Sequence, residues 1–442
     1  MFQLLTFKRC FVFLFLTGFS LIPQNCVRAE PPSETEMKKH LQSFDMVWET
    51  IRDKHWDAEL GGLDWKKVRE QMRPLVEKAK STKEVRKIIN DMLDKLKQSH
   101  FGIIPAEVYE ELEQDKEGKL KSNRGYPGFQ VRVIDGSALV YDIDKKSPAW
   151  KAGVRKGWKI VKVGDDTVSP LLKKVTKTFK KSTMLERKLA DVVRKRLRGK
   201  QKESVPVVFE NGTGKKVKRD ITLVAPPGNP SKFGLMPLIY VDYESKTLTG
   251  NVGYFSLNIF ADPSRVMTAF KKSIKDNLNA EGYILDIRGN PGGIGLMAVG
   301  MGNYFIEKPN QKLGTMFARK GKLHFAFNPV LETYKGPVVI LVDGLSASTS
   351  EVMAGGLKDL KRAKIIGSRS MGAALPSVFV KLPNGDGFQY AIANYVSVGG
   401  KELEGNGVTP DIKVRPTRAD LLADRDPALE AAVKWIKEQN RE

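Results

Sequence analysis

Cysteine is nearly missing from this 442-residue sequence, which has only Cys10 and Cys26. Both lie in residues 1–29, a segment with the order of an export leader: Lys8 and Arg9, an apolar run from Cys10 to Pro23, then the small-residue ending Val27-Arg28-Ala29. Cleavage after Ala29 is expected, giving an exported chain, periplasmic or extracellular, without a thiol. That excludes thiol catalysis, disulfide bracing and zinc–thiolate sites. A lipid anchor on Cys26 is set aside, because Gln24-Asn25 stand where small residues would be needed. Long apolar runs are missing too. The leader's run falls short of the ~20 residues a bilayer-spanning helix requires, and no later segment reaches that length, so no membrane span is expected after leader removal. Histidine is the other scarcity, limited to His40, His55, His100 and His324.

Acidic residues are outnumbered, 51 against 74 lysines and arginines, for a formal charge of +23. The excess is local: between Leu171 and Lys202 stand 13 basic residues and only Glu186 and Asp191. Such a span is commonly a solvated face, and it can also attract anionic partners. No nucleic-acid motif accompanies it, so no specific nucleic-acid binding is expected.

The length predicts two or three domains. From Glu36 to Glu113 the pattern is helical, with Phe44, Val47, Trp48 and Ile51 at 3.6-residue spacing. Ser81-Thr82-Lys83-Glu84 reads as a capping box opening a helix to about Gln98, and Gln114 to Arg124 reads as a linker. Residues 30–124 are thus a helical region with its linker. Residues 125–225 alternate short β patterns with turns and one helix-like segment, Ser182 to Leu197. After the proline-rich boundary Ala225 to Pro230, strands and helices alternate across 228–415, predicting an α/β domain. Strands are expected at 252–259, 282–288, 313–319, 337–342 and 363–367, with a hairpin of 377–382 and 388–395. Residues 416–442 hold a final helix opened by Asp426-Pro427.

Two segments carry candidate chemistry. The buried-strand pattern Val338–Val342 runs through Asp343-Gly344 into Leu345-Ser346-Ala347-Ser348-Thr349-Ser350-Glu351. A serine at such a strand-to-helix junction can be a nucleophile, with free helix amides to receive an oxyanion, or it can simply cap the helix. Spacing alone leaves both readings open. The second segment, Ile284-Leu285-Asp286-Ile287-Arg288-Gly289-Asn290-Pro291-Gly292-Gly293, ends a strand in a glycine-rich turn. It has neither the Gly-Lys-Ser/Thr ending nor the GxGxxG spacing of phosphate loops, so an oxyanion site is preferred.

Within 125–225, the run Ser147-Pro148-Ala149-Trp150-Lys151-Ala152-Gly153-Val154 leading into Gly157-Trp158-Lys159-Ile160-Val161-Lys162-Val163-Gly164-Asp165 resembles a PDZ domain of the kind found in bacterial proteases. The resemblance implies a groove where a peptide adds a strand, its carboxylate near Tyr126, Gly128 and Phe129. The serine and glycine segments, with Glu404-Gly405-Asn406-Gly407-Val408-Thr409-Pro410-Asp411, resemble the C-terminal processing, or tail-specific, serine peptidase family. That implies a crotonase-like ββα core, Ser348 as nucleophile, and oxyanion amides from Thr349 and from Gly292 or Gly293, with Gly293 favoured.

The well-known members of that family use a lysine base, but here Gly367-Ser368-Arg369-Ser370-Met371-Gly372-Ala373-Ala374 puts Ala373 at that position. Lys358 and Lys381 are near in sequence and match no motif. Ser99-His100 instead resembles the Ser-His pair of the tricorn and interphotoreceptor retinoid-binding-like branch. Carried over, His100 is the base, and Glu404 acts with Ser99 to orient or polarise it. Its midpoint is expected near ~6.5, raised if Glu404 and a helix end favour the imidazolium. The implied protein is an exported endopeptidase for unfolded or C-terminally exposed protein substrates, working through an acyl-enzyme without metal or organic cofactor. The alternative is a catalytically silent scaffold that binds peptides or an apolar ligand. Oligomeric state is not legible.

Overall fold

The computed structural model describes residues 31–110, 112–114 and 120–441, so the expected leader lies outside the described residues. Helices Glu34–Lys54, Trp65–Glu77 and Thr82–Leu93 form the N-terminal body. Ser33 and Ser81 start the first and third: the Glu36 amide donates to Ser33 Oγ at 3.3 Å and the Glu84 amide to Ser81 Oγ at 3.2 Å. Phe44, Val47 and Ile51 of the first helix pack against Val68, Val76, Ile89 and Met92 of the others.

The third helix is shorter than expected. It ends at Leu93, a tight turn Asp94–Leu96 follows, and Lys97 takes φ 54°, which breaks helical hydrogen bonding despite continuing apolar spacing. Beyond it the helical expectation fails further, because Gly102–Ile104 is a strand. The expected linker holds a strand, Leu120–Ser122, paired antiparallel to Leu112–Gln114.

The N-terminal body does not close on itself. Its apolar core includes Leu382, Phe388 and Tyr390 from nearly 300 residues away, and its strand Gly102–Ile104 pairs with Gly387–Ala391 of the hairpin that begins with Ser377–Lys381. A buried ion pair fixes this join. Arg86 donates to the Asp386 carboxylate through Nε and Nη2 at 2.7–3.1 Å, and Asp386 also receives the Ala106 amide at 2.9 Å. Asp386 is fully buried. The turn residues Asn384-Gly385-Asp386 therefore do more than reverse the chain.

The next unit is a six-stranded sheet in the order Phe129–Ile134, Ser137–Ile143, Lys159–Val163, Ser204–Glu210, Lys216–Thr222, with the short strand Asp166–Thr167 also paired to Lys159–Val163. Its ends are tied by reciprocal bonds between Tyr126 and Val224, at 2.7 and 2.9 Å. Two helices cover it, Val168–Phe179 and Leu185–Arg194, where the sequence suggested one. Leu172, Leu189 and Val193 bury against Phe129, Val140, Val163 and Phe209.

The third body is built on a six-stranded sheet: Tyr243–Leu248, Val252–Leu257, Gly282–Asp286, Val338–Val342, Lys364–Gly367, Ile412–Lys413. The first pair is antiparallel and the remaining neighbours are parallel. Both faces are covered, which is why Val338–Val342 is apolar throughout. Val338, Ile340 and Val342 join the core with helices Pro263–Asp276, Gly295–Gly302 and Thr349–Asp359, while Val339 and Leu341 meet Ala432 and Ile436 of the final helix, Pro427–Gln439. The expected second half of the hairpin divides: Ala393–Ser397 leaves it to pair with Gln311–Ala318, whose other neighbour, Gly321–Phe327, was not foreseen.

The Arg86–Asp386 join yields a stability prediction. Arg86→Met leaves a buried carboxylate without its cation, so the free energy of unfolding should fall by about 3–5 kcal/mol. Denaturant unfolding of the variant against wild type measures it, and an unchanged midpoint would show that the join is held by apolar contact alone.

Candidate active site

Strand Val338–Val342 delivers the loop Asp343–Ser348 to the end of the sheet where Gly282–Asp286 delivers Gly289–Gly293. The loops are stitched together: the Ala347 amide and the Ser350 hydroxyl both donate to the Asn290 carbonyl, at 3.0 and 2.9 Å. The Asp343 carboxylate accepts the Gly289 amide at 2.7 Å and the Leu345 amide at 3.0 Å. Burial and these donors oppose each other at Asp343, and with Arg132 Nε 3.3 Å away the carboxyl stays below its ordinary range.

Ser348 stands at the sharp turn into helix Thr349–Asp359 with φ 55° and ψ −120°. This region costs a non-glycine residue roughly 1–3 kcal/mol. The conformation is held by its amide, which donates both to the Ala373 carbonyl at 2.8 Å and to Glu351 Oε2 at 3.0 Å. Glu351 also accepts Ser370 Oγ and the Gly372 and Ala373 amides, at 2.6, 2.6 and 2.9 Å. Among the described residues no cation pairs with this fully buried carboxylate, and desolvation outweighs the donors, raising it to about 7.

The glycines are required where the loops cross. A Cβ on Gly292 would lie 2.6 Å from the Ser348 Cβ, and one on Gly293, at φ 133°, would strike the Phe260 carbonyl at 2.1 Å. The two candidate oxyanion amides differ: Gly292 N–H is taken by Asn290 Oδ1 at 2.9 Å. The Gly293 and Thr349 amides have no protein acceptor among the described residues, and the Thr349 hydroxyl bonded to the Gly293 carbonyl at 2.9 Å keeps them together.

His100 reaches the site from the N-terminal body through the hairpin join. Ser99 Oγ donates to Glu404 Oε2 at 2.8 Å, so its lone pair accepts from His100 Nδ1 at 2.6 Å. That fixes the proton on Nδ1 and leaves Nε2 free to accept. Glu404 also receives the Ser99 amide at 2.7 Å and the Ala374 amide at 2.9 Å, while burial raises its carboxyl. His100 and Ser348 line one cavity of about 600 Å3 without a direct hydrogen bond between them. Its other walls include Ile259, Val299, Leu313, Met316 and Phe325.

One electrostatic expectation is overturned. Burial lowers the His100 imidazole to about 4, instead of raising it from 6.5. The helix end lies four or more residues away, and Glu404 acts through the neutral Ser99 hydroxyl, so no charge offsets desolvation.

The other residues singled out fall elsewhere. Ala373 is buried against the serine loop, Lys358 pairs with Asp411 at 3.0 Å, and Lys381 is exposed at its strand end; none of the three lines the cavity. Tyr126, Gly128 and Phe129 sit in the second unit and do not line the cavity that holds the serine. The Tyr126 amide is used by Val224, the Phe129 ring is buried in that unit's core, and Gly128 packs on Ser147. Sequence reading did not single out Glu351 or Asn290. The spacing Ser348-x-x-Glu351 of a capping box was the available signal for the first.

Comparison with known proteins places this geometry. Residues 251–414 match peptidase family S41, and residues 37–94 match the tricorn protease C1 domain. A probable CtpA-like serine protease of Staphylococcus epidermidis is 28% identical over 357 residues, 78% of this chain and 63% of that protein. One from Staphylococcus aureus is 28% identical over 293 residues, 65% of this chain and 52% of the relative. The chain thus spans under two thirds of the length of these curated relatives. Among solved structures, the photosystem II D1 C-terminal processing protease superposes with TM-score 0.55 at 23% identity, covering 89% of this chain and 97% of its own. Mature CPAF complexed with lactacystin gives 0.62 at 15% identity, covering 92% and 99%. Residues 251–414 are thus similar to the serine-type peptidase domain of family S41, and the chain shares its overall fold with the D1 C-terminal processing protease.

Proposed function

We propose that this protein is an exported endopeptidase that cleaves unfolded or C-terminally exposed protein substrates through an acyl-enzyme on Ser348. The observation that carries the reading is the convergence, on one cavity, of a strained serine, two unbonded amides and the imidazole of the His100–Ser99–Glu404 chain. Ser348 Oγ attacks the scissile carbonyl carbon while its proton passes to His100 Nε2. The oxyanion is received by the amides of Gly293 and Thr349. Collapse expels the amine, which takes the proton back from His100, and water then attacks the acyl-serine by the same route. Ser99 and Glu404 hold the Nδ1–H tautomer throughout. The chemistry calls for no metal or organic cofactor.

The finer architecture belongs to the same proposal: residues 1–29 as an export leader, a helical region at 30–124, a PDZ-like peptide-capturing unit at 125–225, a crotonase-like ββα core at 228–415 and a C-terminal helix at 416–442. The sheet and covering helices of the second unit support the PDZ-like reading. Because the Tyr126 amide is committed to Val224 and Pro127 has none, a peptide carboxylate there would be received by the amides of Gly128 and Phe129.

Ser348→Ala should fold as wild type does, with an unchanged circular dichroism spectrum and melting temperature, and leave intact an unstructured polypeptide that wild type cuts. Cleavage by both proteins at equal rates would remove Ser348 from the chemistry.

The depressed His100 value gives a second expectation. A base must be neutral to accept a proton, and a midpoint of about 4 leaves His100 unprotonated across the neutral range. Imidazole 15N NMR, with His100 assigned by the signal lost in His100→Gln, should give a midpoint near 4 and a proton on Nδ1. A midpoint at or above 6.5 would contradict the electrostatic description of the site.

A further inference from the structure

The basic span has an order that its composition hides. On helix Val168–Phe179 and the turn that follows it, Lys173, Lys174, Lys177, Lys180 and Lys181 recur at i, i+1, i+4, i+7 and i+8. At 100° per residue Lys173, Lys174, Lys177 and the αR Lys180 fall within an arc of about 120°, and Lys181 follows directly in the turn. Val168 and Leu172 are buried on the opposite side, so the helix cannot rotate the lysines inward. All five are exposed, and none has an ion-pair partner among the described residues. The acidic residues of the span are turned elsewhere: Glu186 pairs with Arg415 at 3.0 Å and Asp191 with Arg187 at 2.7 Å. Among the described residues no carboxylate neutralises the stripe.

Its position matters as much as its charge. Thr183, two residues beyond Lys181, has its hydroxyl 3.1 Å from where a Gly372 Cβ would stand. Met184 packs against the group formed by Ala190, Leu345, Ala347, Met371 and Ala373. Ala373 in turn holds the Ser348 amide. The end of the lysine stripe therefore adjoins the wall of the loops that carry the serine, while the cavity itself presents mainly apolar side chains and no carboxylate or ammonium group. A substrate's charge has to be read outside the cavity if it is read at all.

We propose that this lysine stripe is an exosite for acidic segments of the polypeptide that the catalytic cleft cleaves. The inference rests on the peptidase reading for its cleavage arm. Five like charges on one face attract an acidic chain over about one Debye length, roughly 10 Å at 0.1 M salt, and hold it loosely and without sequence register. The stripe thus favours acidic substrates through KM, and the scissile bond is chosen by the apolar cavity.

The test uses two peptides with one cleavable core, extended by six aspartates or by six serines. At low salt wild type should cleave the acidic peptide with about tenfold higher kcat/KM, through KM, and 0.5 M NaCl should erase the preference. Replacing Lys173, Lys174, Lys177, Lys180 and Lys181 by Gln should bring the ratio to about one without changing cleavage of the serine-tailed peptide. A preference that survives in this variant, or is missing from wild type, overturns the exosite. Failure of the peptidase reading looks different: neither peptide is cut. In that case fluorescence anisotropy of the acidic peptide on Ser348→Ala, with and without the five substitutions, still decides, equal affinities refuting the proposal. If the substitutions abolish binding to phosphatidylglycerol vesicles and leave both peptide measurements unchanged, the stripe is a membrane-facing surface and the proposal is wrong.

Discussion

The site depends on one amide being held from two sides. Ser348 occupies a backbone conformation it would not choose, and its N–H is shared between the Ala373 carbonyl and the Glu351 carboxylate. The arrangement is costly in two ways, through the strained φ and ψ and through a carboxylate buried without a cation. Four donors offset the second cost, and the partial positive charge of the helix N-terminus adds to them, since Glu351 stands in the first turn of Thr349–Asp359. In return the serine is lifted out of the helix and its side chain faces the cavity beside two free amides. An unstrained serine there would be an ordinary cap.

The same segment aligns the imidazole. Consecutive amides of Gly372, Ala373 and Ala374 are divided between the two carboxylates, the first two going to Glu351 and the third to Glu404. Glu404 passes this constraint through Ser99 to His100. Nucleophile and imidazole are thus referenced to one short stretch of backbone, although 248 positions separate them in sequence. The Arg86–Asp386 pair and the strand Gly102–Ile104 bring the N-terminal body close enough for that reference to work. Ala373 has a positive role here: its small side chain fits against Leu345 and Ala347, and its backbone serves both the serine and Glu351.

What could be read from sequence was what local pattern controls. Val338–Val342 and the glycine turn after Asp286 are legible because a strand buried on both faces is uniformly apolar and because close loop crossings admit only glycine. Helix Val168–Phe179 escaped because its lysine-rich outer face reads as a solvated charged span and because Pro170, which stands in its first turn where proline is tolerated, reads as a break. Gly321–Phe327 escaped because its first four residues, Gly321 to His324, are exposed and show no apolar alternation, although its partner Gln311–Ala318 lies only a two-residue turn away. The histidine's low value was illegible for a related reason: desolvation depends on what surrounds a ring, and no neighbour within Leu96 to Phe101 dictates it. Glu351 was visible as a cap, but Ser370, Gly372 and Ala373 become its donors only when the sheet brings two loops together.

The central claim is that Ser348 is activated by His100, and its reactivity is the most direct test. A fluorophosphonate probe, followed by intact-mass and peptide-mapping mass spectrometry, should add one label per chain at Ser348, and His100→Ala should slow labelling by about 100-fold. Labelling at Ser346 or Ser350, or a rate at Ser348 indifferent to His100, would contradict the account.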